Sequence, residues 1–240
     1  MRIAEASRRV AATGTLVALL LSMSAAVAAP RVEERELLGE SYEGRAIRVF
    51  HEGDPEELRV LVIGSIHGDE RAGVRIANRL LAGGPRHFVD LWVMKNMNPD
   101  GAAAGTRQNS RGVDLNRNFP FNWQAAPPGR YYPGRRPLSE RESRIAARLI
   151  ERIEPEITIW FHQPLALVDR SGGDVAIQRR YARLVDLPLV QLGRFHGTAT
   201  SWQNHTFGNS TAFVVELSPG PLRPRDVRRF ARAVFQLARP

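Results

Sequence analysis

The sequence predicts an α/β fold built on a doubly wound, mostly parallel sheet, and three observations predict it. Several apolar runs are short, rich in β-branched residues and continuous rather than alternating. Val60–Ile63 (led in by Leu58), Ile157–Phe161 and Ala212–Val215 are of this kind, as expected of strands covered on both faces. Amphipathic patterns with helical spacing stand between them, at Arg71–Leu81 and Leu138–Ile153. Finally, Leu58–Ile63, Arg71–Leu81 and Phe88–Met94 read strand, helix, strand, a crossover unit expected to be right-handed.

Taken in order, the chain opens with a segment that reads as a secretory signal peptide over residues 1–29. Arg2, Arg8 and Arg9 form a basic start, Thr15–Ala26 an apolar core, and Val27-Ala28-Ala29 a small-residue cleavage site. The folded, catalytic part is expected over residues 30–240. Arg31–Glu40 is charged and reads as an exposed arm, and Ala46–Phe50 alternates like an edge strand. Gly53, Asp54 and Pro55 lie in a stretch that reads as a hairpin-type turn. Helix Arg71–Leu81 presents Val74, Ile76, Ala77, Leu80 and Leu81 to the core and is stopped by Gly83-Gly84-Pro85. Residues 102–137 form a long Gly-, Pro- and Asn-rich loop, of the kind that in a compact domain is usually functional or disordered. Ser139, with Glu142 three residues on, reads as a capping box for the next helix. Asp174–Leu184 then reads as a helix and Leu187–Leu192 as a strand. Pro224 and Asp226 open a last helix to about Ala238.

Composition narrows the chemistry. The 240 residues contain no cysteine, so disulfides and thiolate metal sites are excluded, and any metal is held by His, Asp or Glu. The formal charge is +9. Residues 1–29 carry three Arg and one Glu, so about +7 remains without them. That excess favours an anionic partner. With no nucleic-acid recognition motif and an export signal, a wall polymer or peptide fits better than nucleic acid. No segment beyond the leader is long and apolar enough to span a membrane.

Three of the strands end on chemically capable side chains: Leu58–Ile63 near His67 and Glu70, Ile157–Phe161 at His162, Ala212–Val215 at Glu216. Parallel strands bring such ends to one rim, where ligands of open α/β sheets bind. Two histidines, a carboxylate and a water make the open tetrahedral site of a hydrolytic zinc enzyme. Glu216 is placed to act as general base toward that water, and Arg107 to stabilise the oxyanion formed from a scissile carbonyl. Asn116 and Arg117 suit a substrate carboxylate, which a planar guanidinium grips through two bonds. His51 and His87 read as surface residues.

These residues resemble the zinc carboxypeptidase superfamily. His67-Gly68-Asp69-Glu70 is similar to its HxxE zinc motif, Thr106-Arg107-Gln108-Asn109 to the segment with its carbonyl-polarising arginine, and Asp114–Phe119 to its Asn-Arg carboxylate motif. Phe161-His162-Gln163 stands where the third zinc ligand is expected and Val215-Glu216-Leu217 where the catalytic glutamate is. The resemblance implies a single three-layer αβα domain with a mostly parallel, mixed and twisted sheet, and one Zn2+ per chain. Leu38–Ser41 with Gly44-Arg45, and Asn98–Gly101, further resemble bacterial murein peptide amidases. The implied substrate is a peptidoglycan stem peptide, cut between γ-D-glutamyl and diaminopimelate, and the implied location periplasmic or secreted. One element departs from the family: its capping tyrosine is absent from Gly193–Trp202. Thr200 and Ser201 there suggest a small polar pocket floor, and Arg194 and His196 groups that meet an extra substrate carboxylate. Two other functions compete: an N-acyl amino acid deacylase of the aspartoacylase and succinylglutamate desuccinylase type, which shares HGxE and DLNR-like motifs, and a non-catalytic wall-binding module.

Overall fold

The computed structural model describes residues 31–193 and 195–239. The leader expected at residues 1–29 and the side chain of Arg194 lie outside them. The described chain forms an eight-stranded sheet in the order β1-β2-β4-β3-β5-β8-β6-β7. The strands are β1 (Arg31–Glu40), β2 (Ala46–Gly53), β3 (Arg59–Ile63), β4 (Asp90–Met94), β5 (Ile157–His162), β6 (Leu167–Asp169), β7 (Leu189–Val190) and β8 (Thr211–Glu216). The four central strands, β4, β3, β5 and β8, are mutually parallel, while β2 and β6 run antiparallel to the strands they flank. The helices are α1 (Ala72–Leu81), α2 (Pro99–Ala104), α3 (Arg141–Ile153), α4 (Val175–Val185), α5 (Ala199–Thr206) and α6 (Pro224–Leu237), with a 3-10 turn at Leu115–Arg117. Among the described residues, no helix is long and apolar enough to cross a membrane.

The period-two alternation of the central strands divides the core into two layers. Val60 and Val62 of β3, Ile159 and Phe161 of β5, and Phe213 and Val215 of β8 pack against α1, α4 and α6. Leu61 and Ile63, Trp160, and Ala212 and Val214 face the opposite way, onto α3, α5 and the 3-10 turn. Both faces are covered, which is why these strands read as unbroken apolar runs. The result is the three-layer αβα architecture with a mixed, mostly parallel sheet.

Several local expectations are corrected. Arg31–Glu40 is strand β1, paired antiparallel with β2, so β2 lies inside the sheet rather than at its edge. Residues 54–58 do not close a hairpin, because β4 inserts between β2 and β3. Ser139 does not cap α3. The cap position is Glu140, whose side chain makes no capping bond to the helix, and Ser139 Oγ instead accepts from Asn118 Nδ2 at 2.9 Å and donates to Glu140 Oε1 at 2.7 Å. His51 is buried, not exposed. Its ring stacks on Trp92 with 3.9 Å between centroids and its Nε2 lies 2.6 Å from the Asp90 carboxylate, which Arg59 also pairs. The loop of residues 102–137 opens with the end of α2 and contains the 3-10 turn.

Helix α1 lies unusually close to the sheet at Gly73. A Cβ added there would sit 2.1 Å from the Gly64 carbonyl oxygen and 2.5 Å from Phe161 Cβ, neither of which can swing aside. Gly73→Ala is therefore expected to lose about 1–3 kcal/mol of stability through overpacking. In urea unfolding this is a lower midpoint at unchanged slope. Gly208→Ala, where an added Cβ meets nothing within 4 Å, is expected to leave the midpoint in place.

Candidate metal centre

The site lies at the carboxyl ends of the parallel strands. After β3 the chain turns tightly, with the Glu70 amide donating to the His67 carbonyl at 3.2 Å, so the two side chains emerge together. Gly68 permits this turn to press against α2: a Cβ at Gly68 would overlap the Gly101 carbonyl carbon at 1.9 Å. His162 ends β5, and in the β5–β8 ladder it is the direct partner of Glu216.

His67, Glu70 and His162 bring one donor atom each to within 4.8 Å of one another, all three residues buried. His67 Nδ1 is 2.9 Å from Glu70 Oε1 and His162 Nδ1 is 3.1 Å from Glu70 Oε2. The two rings meet edge to face, 4.8 Å between centroids. His67 Nδ1 lies near Glu70 but out of hydrogen-bonding alignment, and His162 Nε2 is likewise buried without a hydrogen-bond partner. Two imidazole nitrogens and a carboxylate oxygen, convergent and in part unsatisfied, fit a zinc ion with one position left for water.

The groups around the cluster fix it. Asp114, wholly buried, accepts at Oδ1 from His67 Nε2 at 3.1 Å and at Oδ2 from Arg107 Nε at 3.0 Å. This leaves Nδ1 as the ligating nitrogen of His67. Arg107 Nη1 donates to Glu70 Oε1 at 3.0 Å and the Gln163 amide to Glu70 Oε2 at 3.1 Å. Burial opposes the charge on Glu70 and on Asp114. The imidazoles of His162 and His67 outweigh it at Glu70, and His67 with Arg107 and Arg117 outweighs it at Asp114, so both carboxyls are held well below their usual range. Glu216 goes the other way: burial pushes its carboxyl up, and the nearby Glu70 adds to that.

The remaining sequence-derived candidates divide into two groups. Asn116 and Arg117 stand in the 3-10 turn directly after Asp114, with Arg117 Nη1 on the Asn116 carbonyl at 2.7 Å. Asn116 Oδ1 accepts from the Ala199 amide at 3.0 Å, which fastens the turn to the start of α5, where Thr200 is buried. His196 is exposed in the segment before α5, and no hydrogen bond joins it to the cluster among the described residues. Two residues went unassigned from sequence. One is Asp114, which stands two residues ahead of Asn116 in a quoted motif. The other is Tyr131, whose ring lies 5.3 Å from the Arg107 and 5.6 Å from the Arg117 guanidinium carbon. Tyr131 sits far from the stretch where the family's tyrosine is expected.

A three-layer α/β fold with a His-Glu-His centre on the rim of its parallel strands defines a zinc hydrolase class. Residues 22–168 match the family described as zinc carboxypeptidase. The chain belongs to that family, and the triad is its zinc site. It is 38% identical over 147 residues to murein peptide amidase A of Escherichia coli K12, an alignment covering 54% of this chain and 59% of the relative. It is 31% identical over 212 residues to murein peptide amidase A of Vibrio campbellii, covering 79% and 84%. The crystal structure of the murein-tripeptide amidase MpaA from E. coli O157 superposes with a TM-score of 0.66 at 26% identity, covering 87% of this chain and 96% of that one. Carboxypeptidase A from Helicoverpa armigera shares the fold, with a TM-score of 0.73 at 16% identity over 86% and 68%.

Removing the charge that holds His67 tests this account. Asp114→Asn is expected to weaken zinc binding about 10–100-fold, because loss of such an outer partner lowers ligand basicity and orientation. Competition with a chromogenic chelator measures it; an unchanged affinity would assign Asp114 to the loop alone.

Proposed function

We propose that this chain is an exported zinc-dependent metallopeptidase that hydrolyses an amide bond beside a carboxylate-bearing residue in peptidoglycan stem peptides, with γ-D-glutamyl–diaminopimelate as the bond cut. The observation that carries this reading is the common rim: the zinc ligands, Arg107, Arg117 and Glu216 come together from separate strands and one loop. Relatives named murein peptide amidase support the substrate class.

When bound by His67, Glu70 and His162, zinc would supply Lewis acidity that lowers the pKa of a water to about 7. The chain's own groups do the rest. Asn116 uses its Oδ1 on Ala199, which leaves its amide N–H groups, with the Arg117 fork, for the leaving residue's carboxylate. Arg107 is held in one plane by Glu70 and Asp114, and its remaining N–H groups stabilise the developing oxyanion. Glu216, the buried carboxyl beside His162, takes the proton of the attacking water and delivers it to the departing amine.

Glu216→Gln is expected to keep one zinc per chain while kcat falls about 10²–10⁴-fold, the usual worth of a positioned general base. Mass spectrometry of stem peptides after incubation, with and without chelator, reads both product and metal dependence. Full activity in the variant would remove Glu216 from this role, and cleavage of N-acetylaspartate in place of stem peptide would favour the deacylase chemistry. Export is tested separately. The mature N-terminus is expected close to Pro30 by intact-mass measurement, and an exported protein that keeps residues 1–29 would overturn the leader.

A further inference from the structure

Beside the metal centre lies a groove of about 440 Å3 that the chemistry above does not use. It meets the centre at Glu70 and Gln163 and is bordered by Asp69, Arg71, Arg75, Arg130 and the Pro219–Pro221 turn. Its walls are tied in advance. Gln163 Oε1 accepts from the Ala72 amide at 3.0 Å, while its Nε2 donates to the Ser218 and Gly220 carbonyls at 2.8 and 2.9 Å. Arg75 Nη1 donates to the Leu222 carbonyl at 2.7 Å. All three arginines are exposed and none is paired with a carboxylate among the described residues, but Arg71 and Arg130, unlike Arg75, are held by no hydrogen bond there. Two guanidinium groups thus border a preformed groove with their donors uncommitted.

The position of the groove gives those charges a use. Glu70 presents Oε1 to Arg107 and Oε2 to the Gln163 amide, so the groove meets the carboxylate on the side away from Arg107. Tyr131 joins the two regions: the Arg107 and Arg117 guanidinium carbons lie 5.3 and 5.6 Å from its ring centroid, and that of Arg130, on the border of the groove, lies 5.7 Å from it. A peptide whose leaving residue is anchored at Arg117 and whose scissile carbonyl lies at Arg107 therefore sends its acyl portion into the groove. A γ-linked glutamyl residue carries, on that acyl portion, a free α-carboxylate close to the scissile amide. An α-linked residue with a neutral side chain has no carboxylate there.

We propose that the groove is the acyl-side subsite, with Arg71 and Arg130 receiving the free carboxylate of the acyl residue, so that the enzyme reads an anionic group on each side of the bond it cuts. This rests on the stem-peptide reading above and adds the residues that select an acidic acyl group. A bidentate guanidinium–carboxylate contact is directional and charge-assisted, so replacing the carboxylate by a carboxamide removes most of its worth.

The test compares N-acetyl-γ-D-glutamyl-diaminopimelate with the same peptide bearing a carboxamide in place of the glutamyl α-carboxylate. The wild-type zinc enzyme is expected to prefer the carboxylate peptide about tenfold or more in kcat/KM, mainly through KM. The double variant Arg71→Ala/Arg130→Ala is expected to lose that preference, falling about tenfold on the carboxylate peptide and less than about threefold on the amidated one. Zinc content and thermal midpoint should match wild type. Equal loss on both peptides, or no loss on either, would overturn the proposal. Calorimetric binding of N-acetyl-D-glutamate and N-acetyl-D-isoglutamine keeps the test independent of turnover. The first is expected to bind more tightly to wild type and equally with the second to the double variant. Wild type that binds the two alike sinks the subsite. Wild type that distinguishes them but cleaves neither peptide sinks the stem-peptide reading and leaves the subsite standing.

Discussion

The site depends on one buried carboxylate. Asp114 is wholly buried, and each of its oxygens holds a functional side chain: His67 Nε2 on one and Arg107 Nε on the other. Its Oδ1 also accepts from the Asn116 amide at 3.0 Å, starting the 3-10 turn that carries Asn116 and Arg117, and its own amide donates to the Tyr132 carbonyl at 2.8 Å. The zinc ligand His67, Arg107, the turn that carries Asn116 and Arg117, and the Tyr131 loop are thus referred to a single residue. A lone charge this deep would be costly, since burial alone raises a carboxyl's pKa until it neutralises. It is tolerable because an imidazole and two guanidinium groups face it, and that mutual dependence is also what keeps their geometry narrow.

The sheet supplies the other constraint. Register in the β5–β8 ladder puts Glu216 directly beside His162, and one residue of slip would turn Glu216 to the opposite face. The register is specified by the alternation behind it, in which Phe213 and Val215 must meet α4 and α6 while Ala212 and Val214 meet the other layer. Apolar packing far from the metal therefore decides which way the candidate base points. The close seat of α1 at Gly73 has a similar consequence, because α1 begins two residues after Glu70 and its first amide is bonded to Gln163.

Much of this was legible in the sequence because buried parallel strands leave a strong signal. The runs ending near His67, at His162 and at Glu216 could be read as strands with polar ends, and that placed the cluster on one rim. What was not legible depended on contacts between segments remote in sequence. Arg31–Glu40 has the charge of an exposed arm, yet its backbone pairs with β2, and ladder bonds carry no side-chain signature. His51 looked like surface because a histidine in an alternating strand is ambiguous; Asp90 and Trp92, on β4, bury it. Ser139 matched a capping box in spacing, but Asn118 claims its hydroxyl from the loop. Tyr131 could not be found from the expected position of a capping residue, since the loop is sewn in place by Gln108 Nε2 on Gly129, Asp114 on Tyr132 and Asn118 on Pro133.

The charges of the site bear on the proposed preference for anionic peptides. With zinc bound, both imidazoles would be neutral, as metal ligands require, and Glu70 and Asp114 would cancel Arg107 and Arg117. Glu216 then adds one negative charge to a protein cluster that is otherwise balanced, and its carboxyl is pushed up by burial and by Glu70. A divalent cation reverses that balance and leaves the loaded site with a net positive charge in a partly desolvated rim, where Coulomb interactions are stronger than in water. Positive guanidinium groups at Arg71 and Arg130 extend the same field away from the metal. Under the proposed function, such a field would draw in a substrate with carboxylates flanking its amide bond before any single contact forms, and contacts at Asn116, Arg117 and Arg107 would then orient it.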